Sequence, residues 1–312
     1  MILEVQNLQK SFGEKRVLEG VTFSAQQGKA VGLLGRNGAG KTTTIRIAMD
    51  VFPADGGAVL WNGKPLRQGM VPIGYLPEEH GLYPRLVVRD QLVYLAALRG
   101  MPRKEAKASI EHWFSRLAIS EYLPRKLDTL SKGNQQKVQL ATALIANPSL
   151  IILDEPFSGL DPVNAALLKD VVKELIADGR VVLFSSHQMS YVEEFCDSIA
   201  ILHQGTIAVA GEIAAIKRSY DRRLMLVKTT NPAGVQAFCA ERLAGLVLSA
   251  KLLPTGLQLQ LDDAAHKGEL MAALGGSGLD VDLVAVYEPS LNDIFVQYTG
   301  DADEEANGGQ AV

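Results

Sequence analysis

Short, unbroken apolar runs alternate with segments of helical spacing through the first two thirds of the chain. Each run is bounded by glycine or polar residues, which predicts buried strands in "AVGLLG" at 30–35, at 150–153 and in "RVVLFSSH" at 180–187. After Lys41, apolar residues recur at the spacing of a helix, as in Ile45, Ala48 and Met49. The pattern predicts an α/β fold with an open parallel sheet.

Between Tyr83 and Ser131 the pattern becomes helical, with apolar stripes at Leu92–Leu95–Leu98 and Ile110–Trp113–Leu117. We expect these stripes to be core rather than contact surface.

From residue 221 the pattern changes to strand, helix, two strands, helix and strand. Pro254, Thr255 and Gly256 mark a hairpin between the second and third strands. The order βαββαβ is that of a small ferredoxin-like α+β domain, and "EPSLNDIFVQYTG" predicts a capping helix after it. We expect a regulatory or dimer-supporting role here, because His266 has no evident catalytic partner.

Composition narrows the class of protein. The 312 residues are 47% hydrophobic and 21% charged, with a net charge of −4, which indicates globular domains and no nucleic-acid partner. Cys196 and Cys239 match no disulfide or metal pattern and fit a reducing compartment. No secretory signal and no run of about 18 apolar residues is evident. We expect a cytoplasmic protein with a disordered acidic tail at 301–312.

The glycine-rich stretch between the first predicted buried strand and its helix carries the first chemical signal. Gly35 to Thr42 reads G-x-x-x-x-G-K-T. Glycines let successive backbone N–H groups curve around an anion, and the helix N-terminus adds partial positive charge. Lys41 then reaches the outer phosphates, and the Thr42 hydroxyl can bind Mg²⁺. The alternative is a glycine-rich turn with a surface lysine.

Two further strands end in polar residues at the edge where open parallel sheets bind ligands. Asp154 would hold Mg²⁺ and Glu155 would activate the attacking water, although a solvated acidic turn is the alternative. His187 ends the third strand on the same edge and would face the γ-phosphate. A lone histidine is otherwise a packing or surface residue.

These motifs resemble the ATP-binding subunits of ABC transporters, over about residues 1–220. "LSKGNQQ", starting at Leu130, is similar to the family signature, "SGLDP" at 158–162 to the D-loop, and "SSH" at 185–187 to the switch histidine. Phe12 stands where the family stacks an aromatic ring on adenine. The resemblance implies a RecA-like core, a β subdomain, a helical subdomain at about 84–150, and the accessory domain at 221–300.

By this resemblance, Glu155, His187 and Lys41 are catalytic, and Thr42, Glu78 and Asp154 hold Mg²⁺. The resemblance also implies that two chains close around two ATP molecules, each site receiving Ser131 and Gly133 from the other chain. Ser131 could equally be an ordinary helix N-cap. The ATP-binding residues are then Phe12, Gly35, Asn37, Gly38, Ala39, Gly40, Lys41, Thr42, Thr43, Ser131, Gly133, Gln135 and Asp161.

Glu78 departs from the family pattern, because the family places a glutamine there. A carboxylate can bind Mg²⁺ but repels phosphate, and it cannot donate a hydrogen bond as the amide of glutamine does. The stretch "GYLPEEHGLY" at 74–83 resembles bacterial sodium-export or drug-export members with an added C-terminal domain. We expect "PEEHGLYPRLVV", starting at Pro77, to contain the surface that contacts the membrane subunits.

The resemblance therefore implies an ATPase that works as a homodimer or heterodimer and drives export through separate permease subunits at the inner face of the membrane. The alternative is a soluble mechanical ATPase of the repair or translation type. The chain carries one ATP cassette, and only 90 positions separate Lys41 from Ser131, too few for a long coiled-coil insertion. A scaffold without turnover is disfavoured by the presence of both Glu155 and His187.

Overall fold

A computed structural model describes residues 1–67, 69–78 and 81–300. The chain forms two compact units, one of Met1–Ile213 together with the segment from Ile294 onward, the other of Ala214–Asp293. Within the described ranges, no helix has the length and apolarity that crossing a bilayer requires.

Strands and helices alternate along the described chain. In chain order they are β1 (Ile2–Phe12), β2 (Lys15–Gln26), β3 (Ala30–Leu34), α1 (Lys41–Ala48), β4 (Gly56–Trp61), β5 (Lys64–Pro65), β6 (Ile73–Leu76), α2 (Val88–Leu98), α3 (Arg103–Arg116), α4 (Lys132–Leu144), β7 (Leu150–Asp154), α5 (Pro162–Ala177), β8 (Val181–Ser185), α6 (Met189–Phe195), β9 (Ser198–His203), β10 (Thr206–Glu212), α7 (Ile213–Arg218), β11 (Leu224–Thr229), α8 (Pro232–Arg242), β12 (Val247–Leu253), β13 (Gly256–Leu261), α9 (Lys267–Gly275), β14 (Val281–Val286) and α10 (Leu291–Thr299).

The first unit is built on a six-stranded sheet with the order β10-β9-β3-β8-β7-β6. All its neighbouring strands are parallel except β10, which pairs antiparallel with β9. Every residue of β3, β7 and β8 is buried, as their unbroken apolar runs predict. Because these strands are parallel neighbours, the polar residues that follow them meet at one edge of the sheet. The predicted α/β fold is confirmed.

An antiparallel sheet with the order β2-β1-β4-β5 packs beside this core. Along β1, Leu3, Val5 and Leu8 are fully buried, and they share one hydrophobic cluster with Ile45 of α1. This packing fixes α1, and the loop before it, against two sheets.

Helices α2, α3 and α4 form a helical layer. Leu92, Ile110 and Leu117 are buried as expected, but Leu98 is 65% exposed. The apolar residues of α2 are therefore buried at Leu92 but exposed to solvent at Leu98. Arg99, which follows α2, donates from Nη1 to the Thr142 carbonyl at 2.5 Å and so ties α2 to α4.

The second unit contains a four-stranded antiparallel sheet with the order β12-β13-β11-β14. With α8 and α9 as the two helical connections, this is the predicted ferredoxin-like arrangement. Its core is apolar and includes Met225, Val227, Leu257, Leu259 and Leu270, all at most 1% exposed. The hairpin between β12 and β13 falls at the predicted turn.

One expectation about this unit is wrong. His266 does have a partner, because its Nδ1 lies 2.9 Å from Oδ1 of Asp262, four residues earlier. The pair is partly exposed. The predicted tail at 301–312 lies outside the described residues, as do Glu79 and His80 of the predicted membrane-contact segment.

Candidate functional site

The loop that joins β3 to α1 is shaped by glycine. Gly38 and Gly40 have φ of 83° and 111°, in the region that residues with a Cβ disfavour. A Cβ on Gly40 would lie 2.5 Å from Cδ2 of Leu18 and 3.1 Å from the Val17 carbonyl oxygen. The backbone therefore passes close to β2 in a conformation that favours glycine, and α1 begins directly after it with no side-chain cap.

Lys41 folds back over this loop. Its Nζ donates to the carbonyl of Gly35 at 2.5 Å and to that of Arg36 at 3.2 Å. Burial lowers the pKa of Lys41, and the charges of Glu155, Asp154 and Glu78 act in the opposite direction. The ammonium is therefore held between the anion-binding loop and a group of carboxylates.

Asp154 ends β7 and is only 4% exposed. Ser185, its parallel partner on β8, donates a hydroxyl hydrogen bond to Oδ1, and the Tyr75 hydroxyl donates to Oδ2 at 3.4 Å. Burial, reinforced by the Asp154 charge, raises the pKa of Tyr75 to about 12, so the phenol stays a donor. The carboxylate is thus fixed by hydroxyl groups from strands on either side.

Glu155 adopts a left-handed backbone conformation, with φ of 49°, which is uncommon for a residue with a side chain. Its buried carboxylate accepts from the backbone N–H of His187 at 2.8 Å and from the Ser186 hydroxyl at 3.1 Å. The His187 Nδ1 also lies 2.8 Å from Glu155 Oε1. The strand ends thus bring together the glutamate and the histidine that the sequence singled out.

A cavity of about 880 Å³ lies over this edge of the sheet. It brings together most of the predicted site residues, from five different parts of the sequence. Those that line it are Phe12, Gly35, Asn37, Gly38, Gly40, Lys41, Thr42, Thr43, Glu78, Asp154, Glu155 and His187.

Five further lining residues were not predicted. Lys15 and Val17 follow Phe12 in the first hairpin, Arg36 occupies a variable position of the loop, and Met189 begins α6. Their nearness to predicted residues in the sequence was a signal that could have found them. The fifth, Phe295 on α10, had no such signal, because it is distant in sequence from every motif.

Phe12 presents an aromatic ring to the cavity and is 51% exposed. Its other contacts hold it in place: the ring of Phe52 meets it edge-on at 5.7 Å, and the Lys10 ammonium lies 5.6 Å from both ring centroids. A ring that is held in place by these contacts and is exposed to the cavity is suited to stacking on a planar ligand.

The remaining predicted residues do not line the cavity. Ala39 is buried within the loop, while Ser131 caps α4, accepting from the Asn134 N–H at 3.4 Å. Asp161 caps α5, accepting from the N–H groups of Val163 and Asn164 at 3.0 Å, and these bonds lower its pKa.

The segment that contains Ser131 packs against the start of α5. A Cβ on Gly133 would lie 3.0 Å from Nδ2 of Asn164, and Gln135 donates from Nε2 to the Leu130 carbonyl at 2.9 Å. The signature and D-loop segments therefore form one surface, separate from the cavity of their own chain.

The oxygen groups that line the cavity suit a hard cation. Thr42, Glu78 and Asp154 supply a hydroxyl and two carboxylates, which are ligands that Mg²⁺ accepts together with phosphate oxygens and water. Nowhere in the described ranges do three His, Cys, Asp or Glu side chains cluster as a metal site on their own. The residues therefore fit a magnesium ion that arrives with a phosphate ligand.

Comparisons with known proteins agree with this geometry. Residues 18–158 match the family described as ABC transporter, and residues 211–299 match the DrrA1-3-like ATP-binding protein, C-terminal domain. The uncharacterized ABC transporter ATP-binding protein YhaQ of Bacillus subtilis is 40% identical over 96% of this chain and 99% of its own length. The Nod factor export ATP-binding protein I of Burkholderia lata is 31% identical over 70% of this chain and 73% of its own length. A solved structure described as the ATP-binding subunit of an ABC transporter gives a TM-score of 0.65, with 33% identity over 70% of this chain and 93% of that one.

Proposed function

The chain belongs to the ATP-binding subunits of ABC transporters and is an ATPase, and from this premise we propose that it drives export through separate membrane subunits. The observation that carries the proposal is the cavity in which the glycine-rich loop, Lys41, Asp154, Glu155 and His187 meet. We assign the ATP-binding domain to residues 1–220 and the accessory domain to 221–300.

In this proposal the loop before α1 binds the phosphate chain of ATP. Its N–H groups and the Lys41 ammonium supply donors and positive charge without reorganisation. Thr42, Asp154 and Glu78 would hold Mg²⁺, which when bound neutralises charge on the phosphates. The Ser185 and Tyr75 hydroxyls keep the Asp154 carboxylate oriented for that task.

Glu155 is the proposed general base for the attacking water. It is 7% exposed, so little bulk water competes for its carboxylate. His187 contacts Glu155 through both its backbone N–H and its ring. We propose that this contact positions the base and places the imidazole beside the outermost phosphate.

A second chain is proposed to complete each site. Ser131 and Gly133 stand at the N-terminus of α4, which is a favourable place for an anion, yet neither lines the cavity of its own chain. Gln135 and Asp161 belong to the same surface. If this surface meets the cavity of a partner, each ATP is bound by both chains, and its hydrolysis releases them.

The proposed contact with the membrane subunits involves four large exposed side chains, Tyr83, Leu86, Tyr94 and Leu98, which are between 49% and 65% exposed. Gln91 of α2 is 2% exposed and bonds the backbone of Tyr83 and Leu86. A buried amide therefore fixes an outward-facing apolar loop, as expected of a surface that binds another protein.

The proposed export direction is supported by one similarity, because the Burkholderia lata relative is named as an export protein. We place the subunit at the cytoplasmic face of the membrane, attached through its permease partners. The alternative of a repair-type mechanical ATPase is disfavoured, because the described residues between 41 and 131 form short helices and strands and no long coiled coil.

The proposal is tested by the Glu155→Gln variant, measured for ATP binding, ATP hydrolysis and oligomeric state. The amide keeps the shape of the side chain but is not a base, so we expect retained ATP affinity and a rate about 10²- to 10⁴-fold lower. With ATP bound and not hydrolysed, size-exclusion chromatography should show a dimer.

Glu174→Gln is the matched control, because Glu174 pairs with Arg116 at the surface, outside the cavity. It should hydrolyse ATP at the wild-type rate. A normal rate in Glu155→Gln would remove Glu155 from the role of base, and a monomer with ATP bound would contradict the shared site.

A further inference from the structure

The last helix of the described chain contributes an aromatic residue to the nucleotide cavity. Phe295 of α10 lines the same cavity as Phe12 and Lys41. The segment from Ile294 onward belongs to the same compact unit as the glycine-rich loop, although it follows the ferredoxin-like domain in sequence. Phe295 therefore reaches the site from the far end of the chain.

The backbone around Phe295 is well anchored. Ile294 and Thr299 are at most 1% exposed, and the Thr299 hydroxyl donates to the Phe295 carbonyl at 2.7 Å. At the start of α10, Ser290 and Asp293 bond each other reciprocally, as in a helix cap. These contacts fix the position of the helix without using the phenyl ring.

The Phe295 ring itself is only partly buried and, among the described residues, makes no ring–ring contact. By contrast, the ring of Phe12 is braced by Phe52. A phenylalanine that served only to pack α10 would be buried as deeply as Ile294. Instead its ring is left facing a cavity.

The lining of the cavity divides into two chemical classes. The loop residues, Lys41 and the carboxylates suit phosphates and a cation, whereas Phe12, Val17, Met189 and Phe295 are apolar. The base is the part of a nucleotide that offers a flat π-face to aromatic side chains. Phe12 and Phe295, the two aromatic rings in this apolar class, are therefore the candidates to face the base of the ligand.

We propose that Phe295 is a second aromatic contact for the base of bound ATP, so that α10 completes the nucleotide site. This inference rests on the proposed function, because it takes the cavity to be the ATP site. Binding of ATP then depends on the seating of α10, and the end of the chain becomes part of the ATPase.

The test compares two ligands, ATP and inorganic tripolyphosphate, by isothermal titration calorimetry. Phe295→Ala removes the ring, and we expect the Kd for ATP to rise about 5- to 100-fold. The Kd for tripolyphosphate, which has no base, should stay within about twofold. Phe295→Tyr retains the ring and should restore ATP affinity.

Val296→Ala is the matched control, because Val296 is the next residue on α10, is 53% exposed and does not line the cavity. It should bind both ligands like the wild type. Thermal melting without ligand checks that each variant is folded.

Two outcomes would overturn the inference. Unchanged ATP affinity in Phe295→Ala would show that the ring does not contact the base. Equal weakening of ATP and tripolyphosphate would show that the substitution disturbs the site as a whole. Failure of the wild type to bind either ligand would instead contradict the proposed function.

Discussion

The two units of this protein bury different kinds of residue. At the sheet edge of the first unit, Asp154, Glu155, Ser185 and Ser186 are all at most 7% exposed. In the second unit, the buried side chains of the described residues are apolar, apart from the thiol of Cys239. Burying a charge costs free energy unless hydrogen bonds offset it. The first unit carries that cost where its proposed chemistry lies, whereas the second is built for packing.

Backbone conformation shows the same contrast. In the first unit, Glu155 adopts a left-handed conformation directly after β7, and Gly40 has φ of 111° where a Cβ would crowd Leu18 and Val17. In the second unit, among the described residues, positive φ angles occur only at glycines, such as Gly256 of the β12–β13 hairpin. Left-handed residues with a side chain also occur elsewhere in the first unit, for example Asn62 and Ala118, but among the described residues only Glu155 of this kind lines the cavity.

Among the changes that test this contrast between the two units, Lys41→Ala has the largest expected effect, on ATP hydrolysis. Its ammonium bonds the loop carbonyls and lies near the charges of Glu155, Asp154 and Glu78, so its loss removes a positive charge from the phosphate-binding loop. We expect kcat/KM to fall about 10²- to 10³-fold, measured as phosphate release. The folded state should persist, because the site contributes function rather than packing.

Lys64→Ala is the control for this change, since Lys64 is exposed on β5 and does not line the cavity. Near-normal hydrolysis in Lys41→Ala would contradict the contrast drawn between the two units, because the buried charges of the first unit would then have no evident function.

The second unit should give the opposite result. Leu259 is fully buried on β13, and Leu259→Ala should lower the free energy of unfolding by about 2–5 kcal/mol. Urea denaturation measures this loss. The ATPase rate at 25 °C should be unchanged as long as the chain remains folded.

Leu248→Ala on the neighbouring strand provides the comparison, because Leu248 is 58% exposed and should cost less than about 0.5 kcal/mol. A fall in ATPase rate without a fall in stability in Leu259→Ala would show that the second unit acts directly in catalysis.

The smallest effect concerns His266. A hydrogen bond to Asp262 and the charge of that carboxylate raise the pKa of His266, and the same contact lowers the pKa of Asp262. The pair therefore stabilises the fold between about pH 4 and 6.5. This contribution is lost as pH rises through the raised pKa of His266, or falls through the lowered pKa of Asp262.

Because both side chains are partly exposed, this contribution is small, and NMR titration of the His266 ring is the suitable measurement. Asp262→Asn should return the pKa of His266 towards its ordinary value of about 6.5. If the pKa of His266 does not change, the contact is absent in solution.

Local patterns predicted the parts of the site that lie close in sequence. A strand, a glycine-rich loop and a helix follow one another at 30–48, so the position of Lys41 could be inferred from its neighbours alone. Asp154 and His187 were predictable because each follows a buried strand, and parallel strands present their carboxyl ends together.

What could not be predicted depends on tertiary packing. Nothing in the sequence near Phe295 indicates which cavity it lines, because that depends on how a distant helix is seated. The exposure of Leu98 likewise depends on where α2 leaves the core. The Asp262–His266 contact was missed although the two residues are four apart, a spacing at which side chains can meet.

The exposed group of Tyr83, Leu86, Tyr94 and Leu98 has a consequence for the cell that makes this protein. If the membrane subunits bind at this group, as proposed, copies synthesised in excess of them keep these side chains in water, where they favour self-association. Balanced synthesis of the ATPase and the proposed partner subunits would then protect both from aggregation. Gene dosage, as well as chemistry, would set how much working complex a cell obtains.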